Sequence, residues 1–355
     1  MLKFLSERKN NFDANLFINE LVEASKNLGV LDTKIYSYKF SNILMPMLHS
    51  KEALASMDIE GTQTTITDVF ENEVSPKQSS QKAILEYHNH ITTLAKGEDY
   101  LRTDDFSNDF IQKIHYWMMD GICNSNKAIG QFKTKNNFIV NSLKKIVFEP
   151  PAYTETKKYM DELVSYMNNY NDNLNPLIKA AIIHSQFESI HPFEDGNGRV
   201  GRALVSLYLY KTKIISHPFF YLSEAINQDK ILYYNKLDSS RKGDYSEWIS
   251  FFLKKITIQS RKHIDYIDSL NKLYDKTKVL VTECVNSPKF DEIMNCLFKQ
   301  PILTANSLAK TLNVSNIQAN RYLSSLENKS ILYGNDMKRN RRYYFMELLE
   351  LMRKN

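Results

Sequence analysis

Along most of this chain, apolar residues recur every three or four positions, the spacing that lines them up on one face of an α-helix. ANLFINELVEASKNLGVL (14–31) reads as such a helix with a glycine near its end, and KEALASMDIEGTQ (51–63) as a short one closed by Gly61. Residues 80–96 and 105–122 repeat the pattern, as does the stretch ETKKYMDELVSYMNNY, and further helices are expected at about 224–237 and 244–266. SLNKLYDKTKVL continues as a charged connecting helix. Two segments differ: 176–188 and 199–211 are apolar nearly all round, which predicts buried helices. FIVNSLKKIVFE (138–149) puts two short β-branched and aromatic runs around a polar turn, the signature of a hairpin, and Pro150 and Pro151 end it. The expected fold is mainly α with a few short strands, without internal repeats or low-complexity tracts.

Between the two oily helices lies HPFEDGNGRVGR (191–202), the most polar and flexible dozen in the chain. The chain has ten glycines, and three of them are here, so the backbone has a special need at this point. Gly196 and Gly198 mark a tight loop that feeds a helix N-terminus, where unpaired N–H groups and the helix dipole favour an anion. Arg199 and Arg202 nevertheless sit in that first turn, the wrong sign for the dipole by roughly 0.3–1 kcal/mol each. A bound polyphosphate resolves the conflict, because it pairs with the N–H groups and with both guanidinium forks. Asp195 is a hard oxygen ligand beside that loop, suited to Mg²⁺ shared with phosphate oxygens. Asn197 can donate to phosphate and orient the loop. A neutral His191 at its mouth can take a proton from a hydroxyl. Phe193 reads as an apolar anchor and Glu194 as solvent-facing.

Composition narrows the class. With 355 residues, 43% of them hydrophobic and 12% aromatic, the chain can bury a substantial core in two or three domains. The formal charge of +5 permits a nucleic-acid contact without arguing for one. Cys123, Cys284 and Cys296 are odd in number and form no CxxC pair, which argues against a zinc site or a disulfide frame. The N-terminus meets charge too early for a signal peptide, and no apolar run reaches the ~18–20 residues that cross a bilayer. A cytoplasmic protein without a membrane partner is expected.

The dozen matches the signature of the Fic family, His-x-Phe-x-(Asp/Glu)-Gly-Asn-Gly-Arg-x-x-Arg, without a departure. AIGQFKTKNNFIV resembles the family's lead into its flap hairpin, and residues 217–253 resemble the stretch after the motif. The resemblance implies a helical Fic fold and an enzyme, a protein adenylyltransferase that moves AMP from ATP to a Tyr, Ser or Thr hydroxyl of a protein and releases pyrophosphate. In that scheme His191 is the general base and Asp195 holds Mg²⁺. Gly196, Asn197, Gly198, Arg199 and Arg202 hold the phosphates, and Tyr233 and Tyr234 lie on the nucleotide side. The protein substrate docks by strand addition at the flap, residues 138–149.

SMDIEG (56–61) resembles the family's inhibitory pattern (Ser/Thr)-x-x-x-Glu-(Gly/Asn), with Ser56, Glu60 and Gly61 at its fixed positions. The resemblance implies that Glu60 pairs with Arg202 in the place of the γ-phosphate. In some members the same glutamate positions a water that removes AMP, so de-AMPylation stays open. The C-terminal segment resembles a winged helix–turn–helix. Ser315 would cap its second helix, with Ile317, Tyr322, Leu323 and Leu326 inward and Asn316, Gln318, Asn320 and Arg321 outward. Lys338, Arg339, Arg341 and Arg342 form a basic wing tip that could meet DNA phosphates. The alternative to an enzyme is thus a DNA-binding regulator that uses the Fic domain as a nucleotide sensor. Exposed helical faces also leave room for a homo-oligomer. The expected division is 1–100 with the inhibitory motif, 101–255 as catalytic core, 256–285 as linker helix and 286–355 as winged helix.

Overall fold

The computed structural model describes residues 2–8, 12–38, 41–76, 81–122, 128–140, 145–285, 287–337 and 339–353. In chain order the helices are α1 (Leu5–Arg8), α2 (Ile18–Tyr36), α3 (Ser41–Ile59), α4 (Ile66–Val74), α5 (Gln81–Leu101) and α6 (Asn108–Met119). Strands β1 (Ile139–Val140) and β2 (Ile146–Phe148) then pair antiparallel as the expected hairpin, whose turn, 141–144, lies outside the described residues. Next come α7 (Tyr153–Asn168), α8 (Pro176–Ile190), α9 (Asn197–Lys211), α10 (Ser223–Gln228), α11 (Lys230–Arg241) and α12 (Ser246–Cys284). By packing, residues 1–37, 55–62 and 85–261 make one unit, and 38–54, 63–84 and 262–355 make a second. Up to Cys284, the 256–285 stretch read as a linker helix belongs to the continuous helix α12, which begins at Ser246.

The first unit is built around α8 and α9. Every residue of α8 from Leu177 to Ile190 is buried, as its all-round apolar pattern requires. Pro176 occupies the first turn, where its missing N–H is no loss, and Asn175 Oδ1 accepts from the Leu177 N–H at 2.9 Å. Trp248 of α12 is fully buried against α8, and its indole N–H donates to the Ala181 carbonyl at 2.7 Å. These contacts fix the two helices that carry the polar loop between them.

Two helices near the N-terminus run past their predicted ends. Helix α2 passes Gly29 and reaches Tyr36, because one exposed glycine costs a helix only ~1 kcal/mol. Helix α3 begins at Ser41, ten residues before the predicted start, and contains Pro46 in its second turn. Its C-terminus follows the expected glycine stop. Gly61 adopts φ +91°, its N–H donates to the Asp58 carbonyl at 3.0 Å, and the Thr62 N–H reaches back to Met57 at 3.0 Å, which is a Schellman motif.

In the second unit, α13 (Phe290–Lys299), β3 (Ile302–Leu303), α14 (Ala305–Leu312), α15 (Asn316–Asn328), β4 (Tyr333–Gly334), β5 (Tyr343–Tyr344) and α16 (Met346–Arg353) follow one another. The strands form an antiparallel sheet in the order β3-β5-β4. Thr304 and Ser307 make a capping box on α14, and Ser315 Oγ caps α15 by accepting from the Gln318 N–H at 3.2 Å. Leu323 and Leu326 are buried as expected, but Ile317 is 69% exposed. Ala319 takes the inward place in that turn, and Tyr322 is half-buried with its hydroxyl bonded to Ser287. Asn316, Asn320 and Arg321 are exposed and Gln318 is half-buried. The expected basic wing tip is largely self-neutralised: Arg341 binds Glu327 at 2.7 Å and Arg342 pairs with Glu71 at 3.3 Å. Arg339 is exposed, and Lys338 lies outside the described residues.

Among the described residues, no helix is long and apolar enough to cross a membrane. Cys296 is buried and Cys284 half-buried, both free, while Cys123 lies outside the described residues. Trp248→Ala should lower the stability of the first unit by about 3–5 kcal/mol, the usual cost of emptying a large aromatic site. Urea unfolding followed by circular dichroism checks it; a loss under ~1 kcal/mol would contradict the packing described.

Candidate active site

The site forms where α8 stops and α9 starts. His191 ends α8 in the left-handed conformation (φ 48°), with its N–H still bonded to the Phe187 carbonyl at 3.0 Å. Left-handed backbone costs a β-carbon residue roughly 1–2 kcal/mol, so the surroundings must impose it. The loop then closes on Asn197: Oδ1 accepts from the Phe193 N–H at 2.9 Å, and Nδ2 donates to the Phe193 carbonyl at 2.8 Å. Both ends of this buried amide bond the loop, so Asn197 orients it, with the second N–H of its Nδ2 still available as a donor. Gly196 caps α9 at φ 74°, and the first N–H groups of α9 follow it.

Phe193 is the anchor expected of it, fully buried with its ring stacked on His115 at 3.9 Å. His115 Nδ1 accepts from the Gly130 N–H, so Nε2 carries the proton and donates to the Asp195 carbonyl at 3.0 Å. Asp195 keeps its carboxylate about half exposed, with Oδ1 accepting from the Gly196 N–H and lying 3.8 Å from Arg199. Glu194 is a correction: its side chain is only 14% exposed and faces Lys135 at 3.8 Å.

The two arginines go to different carboxylates. Arg199 is buried in a hydrogen-bonded ion pair with Glu86 of α5. Arg202 Nε donates to Ser56 Oγ at 3.0 Å, and its terminal nitrogen donates to the Ser56 carbonyl at 3.1 Å and to Glu60 Oε1 at 2.8 Å. Burial pushes the Glu60 carboxyl up, but the Arg202 and Arg199 charges outweigh it and hold it below the usual range. The carboxylate lies over Gly198, where a side chain's first carbon would collide with Oε1. An anion therefore already occupies the N-terminus of α9, and it is supplied by the chain itself. Lys230 of α11 donates to the Ile59 carbonyl at 2.6 Å and Asn227 bonds Asp58, which hold this stretch in place.

His191 has the electrostatics of a base. Burial, helped by the nearby Lys133 ammonium, pulls its imidazole down to about 4, so it is neutral at pH 7. Tyr233 lies close enough to Arg202 and Glu60 for its hydroxyl to feel both charges. It is buried to 2% in the core, and its hydroxyl bonds His184 Nε2 at 2.9 Å, whereas Tyr234 is 47% exposed. Helix packing thus explains Tyr233. Sequence reasoning missed Glu86, which sits in a helix without a motif. It also missed Lys133 and Asn137, whose only signal was their place in AIGQFKTKNNFIV, and the buried Glu188.

This helix–loop–helix, with a neutral histidine, a glycine-opened helix N-terminus and a guanidinium pair, is that of a Fic/DOC domain. Residues 105–209 match the Fic/DOC family and residues 18–99 its N-terminal region, so the chain carries a Fic/DOC domain with that region before it. A probable protein adenylyltransferase of Aquifex aeolicus is 24% identical over 277 residues, 76% of this chain and 77% of that protein. The protein adenylyltransferase Fic of Nematostella vectensis is 26% identical over 180 residues, 48% of this chain and 38% of that protein. Among solved structures, a Fic family protein of Desulfovibrio desulfuricans shares the fold with a TM-score of 0.59 at 20% identity, over 93% of this chain and 95% of that one. A Fic domain containing signaling protein of Bacteroides thetaiotaomicron does so with a TM-score of 0.56 at 20% identity, over 68% of this chain and 95% of that one.

The histidines give the site a pH signature. His115, His184 and His191 are each pulled to about 4 by burial, against ~6.5 when unfolded. Between these values the unfolded chain binds more protons, so stability falls as pH drops from about 6.5 toward 4. Glu188, pushed by burial up to about 7, works the other way, but it is one group against three. Tryptophan fluorescence follows the first unit, since Trp117 and Trp248 both belong to it. Its urea midpoint should drop steadily from pH 6.5 to 4.5, and a midpoint that held or rose would contradict these burial effects.

Proposed function

We propose that this protein is a protein adenylyltransferase held in check by its own Glu60. The hydroxyl oxygen of a target Tyr, Ser or Thr attacks the α-phosphorus of ATP, and its proton passes to His191. The bond from that phosphorus to the β-phosphate bridging oxygen breaks, and pyrophosphate leaves. Such transfer needs in-line positioning and charge neutralisation more than covalent help. The N–H groups opening α9 and the Arg202 guanidinium supply both, with Arg199 braced behind them by Glu86. Residues 138–149 would present the target segment by strand pairing. Val140, Ile146 and Val147 are about half exposed there, which suits an added strand.

Asp195 fits a Mg²⁺ shared with substrate phosphates, because its carboxylate is half exposed at the loop and a single carboxylate is enough for that mode. No group of three or more His, Cys, Asp or Glu among the described residues could hold a metal unaided. When bound, the ion would neutralise phosphate charge; the chain's own part is to orient Asp195 through the His115 bond to its carbonyl.

The observation that carries this reading is the Glu60 carboxylate on Arg202, over Gly198. A γ-phosphate and Glu60 would compete for one guanidinium, so ATP could bind only with its α-phosphate misaligned. Glu60 could also position a water for the reverse reaction. The C-terminal module, read as a winged helix, is better suited to protein docking than to DNA, because Arg341 and Arg342 are already paired with Glu327 and Glu71.

Self-labelling with α-³²P-ATP and Mg²⁺ tests the proposal. Glu60→Gly should label at least about tenfold more strongly than the wild type, a factor that corresponds to ~1.4 kcal/mol, and His191→Ala in that background should not label. If Glu60→Gly stays dark on itself and in cell lysate, AMP transfer is the wrong chemistry.

A further inference from the structure

All four carbonyls of the 190–193 turn are held by two residues of one short segment, three by side chains and one by a backbone N–H. Lys133 Nζ donates to the Ile190 carbonyl at 3.2 Å, and the Lys133 N–H donates to the Pro192 carbonyl at 2.8 Å. Asn137 Nδ2 donates to the His191 carbonyl at 3.1 Å and to the Phe193 carbonyl at 3.0 Å. The two side chains also hold each other, with Lys133 Nζ to Asn137 Oδ1 at 2.8 Å. The His191 ring has the Glu188 backbone as its hydrogen-bonding neighbour, and its buried Nδ1 makes no hydrogen bond of ordinary geometry among the described residues. The aim of such a base depends on its backbone, here a strained left-handed one.

Lys133 is an expensive choice for a structural prop. Its side chain is buried, and the hydrogen bonds of its ammonium go to neutral oxygens rather than to a carboxylate. Burying an ammonium without a counter-ion is costly, and burial accordingly pulls Lys133 down to about 8. Rules broken in this way tend to mark function. The segment also runs straight on, with β1 of the flap beginning two residues after Asn137.

We propose that Lys133 and Asn137 are positioning residues for His191, fixing the 190–193 turn so that the base meets a hydroxyl presented on the adjoining flap. The inference rests on the adenylyltransferase reading for its kinetic consequence, but not for its structural one. The clamp touches no part of the helix N-terminus where phosphates would lie, so it should govern the chemical step and leave nucleotide binding alone.

Two readouts separate the clamp from the function. In the Glu60→Gly background, Lys133→Met and Asn137→Ala should lower kcat about 10–100-fold, with KM for ATP within about twofold, since a misplacement near 1 Å can cost ~10²-fold. Lys133→Arg should restore most of the rate. Without nucleotide, the His191 Cε1–H resonance should shift in Lys133→Met and return in Lys133→Arg, while the melting temperature of Asn137→Ala confirms a folded protein. If Glu60→Gly never labels yet the resonance moves, the function reading fails and the clamp stands. If Glu60→Gly labels and both clamp variants match it, with the resonance unmoved, the clamp is wrong. A rate loss that Lys133→Arg does not rescue, or one with a parallel rise in KM, also overturns the positioning role.

Discussion

A buried guanidinium cannot shed its proton, so something must always answer the charge of Arg202. In this protein Ser56 and Glu60 answer it, and much of the first unit follows from that demand. The Schellman turn at Gly61 ends α3 one residue past the glutamate. Lys230 and Asn227 hold that end from α11 and α10. Gly198 leaves room for the carboxylate on α9, where the dipole welcomes a negative charge. The arrangement resolves the sign conflict of two arginines at a helix N-terminus with anions of the chain's own: Glu60 for Arg202, Glu86 for Arg199.

The rest of the site is backbone engineering. Helices α8 and α9 are buried nearly all round, so their ends are rigid mounts, and the 190–193 turn between them is tied at each carbonyl. Asn197 closes it from α9, and Lys133 and Asn137 close it from the flap segment. Neutrality of His191 comes from the same burial that fixes it. One packing decision therefore sets both the direction and the protonation state of the base, and it places both next to the strand that would present a hydroxyl.

Sequence pattern made part of this legible. Helix α8, the glycine stop at Gly61, the hairpin and the buried Phe193 follow from local rules: all-round apolarity, a left-handed glycine, β-branched alternation and an aromatic between polar neighbours. What stayed hidden depends on long-range partners. Glu86 lies on a helix without a motif, and only the fold brings it to Arg199, 113 residues away. Tyr233 and Tyr234 are adjacent and alike, yet a helix turns one into the core and the other to solvent. The part Asn197 plays in closing the loop shows only once its partner, the Phe193 backbone four residues back, is known. Arg341 and Arg342 look like a free basic tip until Glu327 and Glu71 claim them.

The central claim is that Arg202 serves Glu60 or a terminal phosphate, one at a time. Crystal structures of the wild type and of Glu60→Gly, each with ATP and Mg²⁺, test it most directly. The account predicts the γ-phosphate on the Arg202 guanidinium in Glu60→Gly, and in the wild type either an intact Glu60–Arg202 pair with the γ-phosphate elsewhere or no ordered nucleotide. A wild-type structure with the γ-phosphate bonded to Arg202 while Glu60 still holds it would contradict the account.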